Sequence, residues 1–241
     1  MARVPILLTL KEIYSILYQE YGPQGWWPIP SLAGTQGFDA HGYHPRDYTH
    51  PKTDTRRWEI VLGAILTQNT AWKNVEKALA NLRAAEVTSK ERILACSAKK
   101  LASLIRPAGY FNQKAERLKI VARFFLEHPD TFKLDTATMR QTLLGIKGIG
   151  PETADSIILY AAKRPQFVID AYTRRILSRV GLTEKDAAYN GLQQHIMEEL
   201  PPDEKLFNEY HALLVEHAKR YCRTEPLCET CPLAGKCRRK L

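Results

Sequence analysis

The 241-residue sequence contains no apolar run approaching the roughly 20 residues that a membrane span requires, which excludes a helical membrane protein. The short apolar stretch at 1–10 soon meets Lys11 and Glu12 and leads to no small-residue cleavage site, so it does not read as a signal peptide. Nothing repeats at a fixed period, and no convincing alternation of polar and apolar residues marks a sheet. Cysteine is scarce: there are five, and four of them lie beyond residue 220. Acid is in short supply too. Against 35 Lys and Arg stand 26 Asp and Glu, and the resulting charge of +9 favours an anionic partner such as nucleic acid. A cytoplasmic, nucleoid-associated chain is expected, and there clustered cysteines suggest metal binding rather than disulfides.

What is present is mainly helical periodicity. Leu10, Ile13, Ile16 and Leu17 recur at helical spacing until Gly22 and Pro23 stop the run. Residues 22–57 are rich in Gly, Pro, His and aromatics without periodicity, and predict a long irregular segment. Helices are then expected over 58–67, 71–84, 91–96, 100–105, 112–127 and, capped by Asp135 or Thr136, to 144. Pro151 suits the first position of a helix running to about 163. A brief extended stretch at 166–169 leads to further helices, the last over 203–221. The fold class is all-α. Length allows one large domain or two modest ones.

Cys222, Cys228, Cys231 and Cys237 form a C-x5-C-x2-C-x5-C array. Four thiolates so close in sequence can enclose a [4Fe–4S] cube or a tetrahedral zinc. Zinc sites usually present two tight knuckles, and only Cys228 and Cys231 form one here, so the spacing favours the cluster over zinc. Cys96 stands alone in an apolar helix and is expected to be a small buried hydrophobe.

The run from Leu143 to Pro151, Leu-Leu-Gly-Ile-Lys-Gly-Ile-Gly-Pro, reads as a helix, a glycine-flanked turn and a second helix. Gly148, Ile149 and Gly150 would let the backbone approach a phosphate, with the next helix's amides pointing at it. Such a contact binds nucleic acid without reading its sequence. The bland alternative is an ordinary helix–helix turn. Asp170, twenty residues past Gly150, is either a helix cap or a catalytic carboxylate.

The hairpin, the aspartate and the cysteine array together resemble the endonuclease III superfamily of DNA glycosylases. The stretch from Ile65 to Thr70 looks like that family's loop with a DNA-inserting glutamine, and the stretch from Gly109 to Ala115 looks like its second DNA-facing loop. The resemblance implies a six-helix barrel domain at 56–164 and a second domain built from 1–55 plus 165–241, which carries the cluster loop. Double-stranded DNA containing a damaged base would be held by the two, with the damaged nucleotide flipped out. Asp170 would stabilise the sugar cation or activate water. Gln68 would fill the vacated space with Asn69 beside it, Tyr110 would wedge alongside, and Lys147 would meet phosphate. A monomer is expected.

Bifunctional members carry a lysine nucleophile two residues after the hairpin's second glycine. Here that position is Glu152, which cannot form an imine. A monofunctional glycosylase is therefore expected, with Glu152 either in the catalytic pocket or simply favoured by the helix dipole. The first cysteine gap is one residue shorter than the family commonly has. Trp26, Trp27 and Pro28, together with that glutamate, resemble the 3-methyladenine-excising subgroup, in which this stretch lines the base pocket. A cationic alkylated purine would stack well on indole; the alternative is two tryptophans plugging a core. Residues 30–55 have no aligned counterpart; His41, His44 and His50 within them read as scattered, solvent-exposed side chains in preference to a metal site. The competing functions are a glycosylase for oxidised, deaminated or mismatched pyrimidines, weak abasic-site lyase activity, and a non-catalytic damage-binding protein.

Overall fold

The computed structural model describes residues 8–239. The start of the apolar stretch at 1–10 lies outside the described residues. Eleven α-helices, three short 3-10 turns and one π-helical turn make up the regular structure among those residues, with no strand. They are α1 (Leu10–Tyr21), α2 (Asp54–Leu66), α3 (Trp72–Ala84), α4 (Lys90–Ala95), α5 (Ala98–Leu104), α6 (Phe111–Glu127), α7 (Thr136–Leu144), α8 (Pro151–Ser156), α9 (Ala171–Val180), α10 (Tyr189–Glu199) and α11 (Glu204–Arg220).

The chain forms two compact units, one from Met1–Trp26 with Pro165–Leu241 and the other from Trp27–Arg164. In the first, α1 and α9 both pack on α11. Thr9 starts α1 through a reciprocal capping box: its hydroxyl accepts from the Glu12 amide, while its own amide donates to the Glu12 carboxylate. Leu10, Ile13 and Leu17 bury the inner face of α1, and the buried Tyr210 hydroxyl donates to the Leu10 carbonyl at 2.8 Å. Phe167 meets Phe207 and Tyr210 edge-on, filling the core beneath α11.

The second unit is built around α2, in which Trp58 and every residue from Ile60 to Leu66 is buried. A helix apolar on all sides has to be enclosed. The long α6 packs against α2, α4 and α5. Residues 27–53 belong to this unit as well, whereas the sequence assigned them to the termini. Local anchors explain the difference. The Ile29 amide donates to Gly42 O at 2.9 Å, the Ser31 amide to Glu59 of α2 at 2.8 Å, and the Trp27 ring packs edge-on against Trp72.

Two further expectations change. The helix from Pro151 keeps α geometry only to Ser156; Ile157–Ala161 widens into a π-turn, with the Ala162 amide bonding Ile157 O. That turn is fully buried against α2, and the Tyr160 ring lies 5.0 Å from that of Trp27. The histidines, in turn, are not uniformly exposed. His44 is buried, with its ring nitrogens at Asp47 O (2.7 Å) and Trp27 O (3.1 Å). His50 and Phe38 pack around its ring, and only His41 is exposed, paired with Glu76. Polar ring edges satisfied by backbone carbonyls make burial tolerable.

Candidate functional site

The hairpin is assembled from the end of α7 and the start of α8. Ile146 and Ile149 are buried and anchor the turn, leaving Lys147 and the glycines outward. Gly148 has φ +93°, and a Cβ there would come within 2.7 Å of Arg117 Cγ, so the position requires glycine twice over. Gly150 is extended, and a Cβ added to it would meet open space. No side chain caps α8, and Pro151 occupies its first position. A two-bonded ion pair braces the hairpin: Arg140 Nε and Nη2 reach the fully buried carboxylate of Asp155 at 2.7 and 3.2 Å. Lys147 is engaged with Glu116 at 2.8 Å, an exposed pair of the kind worth little.

The two loops singled out in the sequence lie in the same unit as the hairpin. Gln68 is keyed onto it: its side-chain amide donates to Gly148 O (3.0 Å) and Thr153 Oγ1 (2.9 Å), and its oxygen accepts from Arg117 at 2.5 Å. Asn69 and Tyr110 both take left-handed backbone conformations, with φ of 52° and 45°. Tyr110 is the most exposed of the large hydrophobic side chains among the described residues, at 69%. Beneath both loops lies a residue the sequence reading missed. Lys114 is buried, and its ammonium donates to Leu66 O (2.8 Å), Thr70 Oγ1 (2.7 Å) and Ala108 O (2.8 Å). Burial, reinforced by the nearby Arg117, pushes its pKa down to about 8. A lysine on the face of α6 that carries Ala115, Leu118 and Val121 was the available signal.

Asp170 belongs to the other unit. It caps α9, accepting from the Thr173 amide at 2.7 Å through Oδ1, while Oδ2 lies 3.6 Å from His211 Nε2. Its side chain is only 14% exposed. Burial alone would raise its pKa; the contacts from His211 and Thr173 outweigh that and hold it below the usual carboxylate range. His211 was not anticipated. It sits on α11, 41 positions along the chain from its partner, and the Trp26 ring meets its edge at 5.6 Å.

The residues of the expected base pocket fall in both units. Trp26 stands beside His211, with Lys219 Nζ 5.9 Å from its ring centre. Trp27 is buried in the other unit against Trp72 and Tyr160, and Pro28 is buried next to it. Glu152 is exposed in the first turn of α8, in the unit that does not contain Asp170.

The four C-terminal cysteines line one small cavity of about 30 Å³, walled by Ile176, Val180 and Leu233. Hydrogen-bond donors address their sulfurs: Arg179 reaches Cys222 Sγ at 3.6 Å and the Arg239 amide reaches Cys237 Sγ at 3.4 Å. His217 Nε2 lies 3.6 Å from Cys231 Sγ. Among the described residues no three His, Cys, Asp or Glu side chains converge on a single-ion position. Four thiols sharing one cavity, with donors aimed at sulfur, fit a group held by four thiolates.

The fold and these motifs define a base-excision repair protein of the helix-hairpin-helix type. The chain belongs to the HhH-GPD superfamily of base excision DNA repair proteins, whose family model matches residues 62–202. It is 42% identical over 232 residues to a Methanocaldococcus jannaschii protein named as a DNA repair glycosylase, with 94% of each chain covered. It is 30% identical to the endonuclease III of Sulfolobus acidocaldarius, covering 74% of this chain and 80% of that one. Among solved structures, the H. pylori 3-methyladenine DNA glycosylase bound to 1,N6-ethenoadenine matches with a TM-score of 0.58 at 30% identity. That match covers 67% of this chain and 84% of the other. An endonuclease III trapped on DNA shares the fold over 97% of both chains, with a TM-score of 0.69 at 18% identity. The class of activity is accordingly that of a DNA glycosylase.

Proposed function

We propose that this chain is a monomeric, monofunctional DNA glycosylase that hydrolyses the N-glycosidic bond of an alkylated purine, such as 3-methyladenine, flipped from duplex DNA. The observation that carries this reading is Asp170, a carboxylate kept ionised in a largely buried setting with Oδ1 bound by its own helix. An ionised carboxylate there stabilises the positive charge that spreads over the sugar as the base departs. A water oxygen then bonds to the anomeric carbon, and the released proton passes to Asp170 or solvent. The base leaves with the electron pair of the broken bond. A 3-methylated adenine already carries positive charge and departs neutral, so no strong general acid is required. The indole of Trp26 supplies a face on which such a cation gains roughly 0.5–2 kcal/mol.

Gln68, Asn69 and Tyr110 serve as the elements that enter the duplex, while Lys147, Gly148, Ile149 and Gly150 bind backbone phosphate. Glu152 leaves the hairpin without an amine nucleophile, so no imine forms on the sugar and the strand stays intact. Cys222, Cys228, Cys231 and Cys237 would hold a [4Fe–4S] cluster, whose contribution is to cross-link the C-terminal loop. Arg179 and Arg239 orient the sulfurs.

One observation favours a second reading. Trp27 is committed to a protein core, which takes one wall from the expected purine pocket and leaves an oxidised, deaminated or mismatched pyrimidine as the alternative substrate. Base release from duplexes bearing single lesions separates the two, with strand breaks scored before and after alkali. Release of 3-methyladenine, with nicking only after alkali, is expected. Release of a pyrimidine alone overturns the substrate assignment, and a borohydride-trapped adduct on abasic DNA overturns the loss of lyase chemistry.

A further inference from the structure

Lys114 combines features that a structural lysine rarely needs together. Its side chain is 1% exposed, and its amine makes three hydrogen bonds, one for each proton of an ammonium. The three acceptors are spread over two loops. Leu66 O is the carbonyl of the last residue of α2, where intrahelical partners run out. Thr70 Oγ1 closes the loop that contains Gln68 and Asn69, and Ala108 O precedes Gly109 and Tyr110. Thr70 also donates to Ala108 O at 2.5 Å, so the two loops are joined both directly and through the amine. Each loop carries one left-handed non-glycine residue, Asn69 or Tyr110, immediately beside this junction. Gln68, two residues from both Leu66 and Thr70, is keyed to Gly148, Thr153 and Arg117.

We infer that Lys114 is a positioning residue that locks the Gln68 loop to the Tyr110 loop, so that both enter DNA as one preformed wedge in register with the hairpin. This rests on the reading that those loops meet DNA. A buried ammonium is an expensive way to hold a core together, since an apolar side chain would fill the same space without desolvating a charge. What the amine adds is directional: three fixed vectors tying two loop ends to one helix. Wedge insertion is sensitive to such geometry, because preorganised groups lose little freedom on binding.

The test uses the full chain with whatever cofactor it carries on purification. A duplex holding 2-aminopurine beside a tetrahydrofuran abasic analogue reports insertion by fluorescence, and an undamaged duplex reports hairpin binding. Lys114→Met retains the stem and removes the donors. It is expected to weaken abasic-duplex binding by about tenfold and to blunt the fluorescence change, with undamaged-duplex binding within about twofold. In the parent protein Gln68→Ala and Tyr110→Ala should be non-additive for abasic binding, and in the Lys114→Met background they should become additive. Should Lys114→Met fold poorly, Thr70→Val breaks the same junction more gently and should give the same change in additivity. Equal losses on both duplexes, or additivity already present in the parent, overturn the inference while leaving the DNA reading of the loops intact. If neither Gln68→Ala nor Tyr110→Ala alters abasic binding, the DNA reading of the loops falls and the wedge with it.

Discussion

Helices α8 and α9 each have a carboxylate at their start and use it in opposite ways. At α8 the cap position is Gly150, no side chain closes the helix, and Glu152 points outward from the first turn. At α9 the cap is Asp170 itself, drawn inward by the Thr173 amide and by His211. An unclosed helix start leaves its amides for an external anion, whereas a closed one fixes the carboxylate and aims what remains of it. On the proposed function, the unclosed start is the one that would meet phosphate and the closed one would face the charge at a sugar.

The sharpest way to break this contrast is Asp170→Asn. Asparagine still caps, so the helix survives, but base release should fall on the order of 100- to 1000-fold in single-turnover assays while DNA affinity holds within about twofold. The same residue has a pH signature. Its pKa is lowered in the folded protein, so its contribution to stability is present above the ordinary carboxylate value and disappears as pH drops through the lowered one. Thermal melts of wild type and Asp170→Asn should differ most near neutrality and converge in acid. Next in size is Arg140→Ala, which removes a two-bonded cation from the buried Asp155 carboxylate and should cost about 3 kcal/mol by urea unfolding. Gly148→Ala forces a side chain into left-handed backbone against Arg117. About 1–3 kcal/mol is expected, together with weaker binding to undamaged duplex. The mildest is Glu152→Gln. An exposed first-turn acid contributes a few tenths to about 1 kcal/mol through the helix dipole, so stability should shift little, and duplex binding should tighten slightly at low salt.

The elements that sequence alone made legible are those whose reasons are local. Pro151 after Gly150, Asp135 three residues before Thr138, and the 3.6-residue pattern of α6 each specify a structure within a turn or two. The hairpin was readable for the same reason, since its glycines, buried isoleucines and following proline are contiguous. Asp170 was readable as a cap, but its environment was not, because His211 is reached only when α11 folds back beside α9. Lys114 was hidden differently. A lysine in an amphipathic pattern is assumed to face water, and only the arrival of Leu66, Thr70 and Ala108 makes its burial tolerable. Trp26 and Trp27 looked like one feature because they are neighbours in the chain. The backbone sends them into separate units, one beside His211 and the other under Trp72.

The pinned base of the excursion at 29–42 has a practical consequence. Ile29 N and Gly42 O are bonded, and Gly42 lies so close that an added Cβ would be 2.5 Å from the Ile29 carbonyl carbon. The Gly34 amide closes onto Asp39 O inside it, while residues 34–37 are exposed. Lengthening a loop whose ends are already held costs only about 0.6 kcal/mol per doubling. An epitope or fluorophore-acceptor peptide inserted between Thr35 and Gln36 should therefore ride on the enzyme as inert cargo, giving a handle for following single molecules along DNA without touching either chain end.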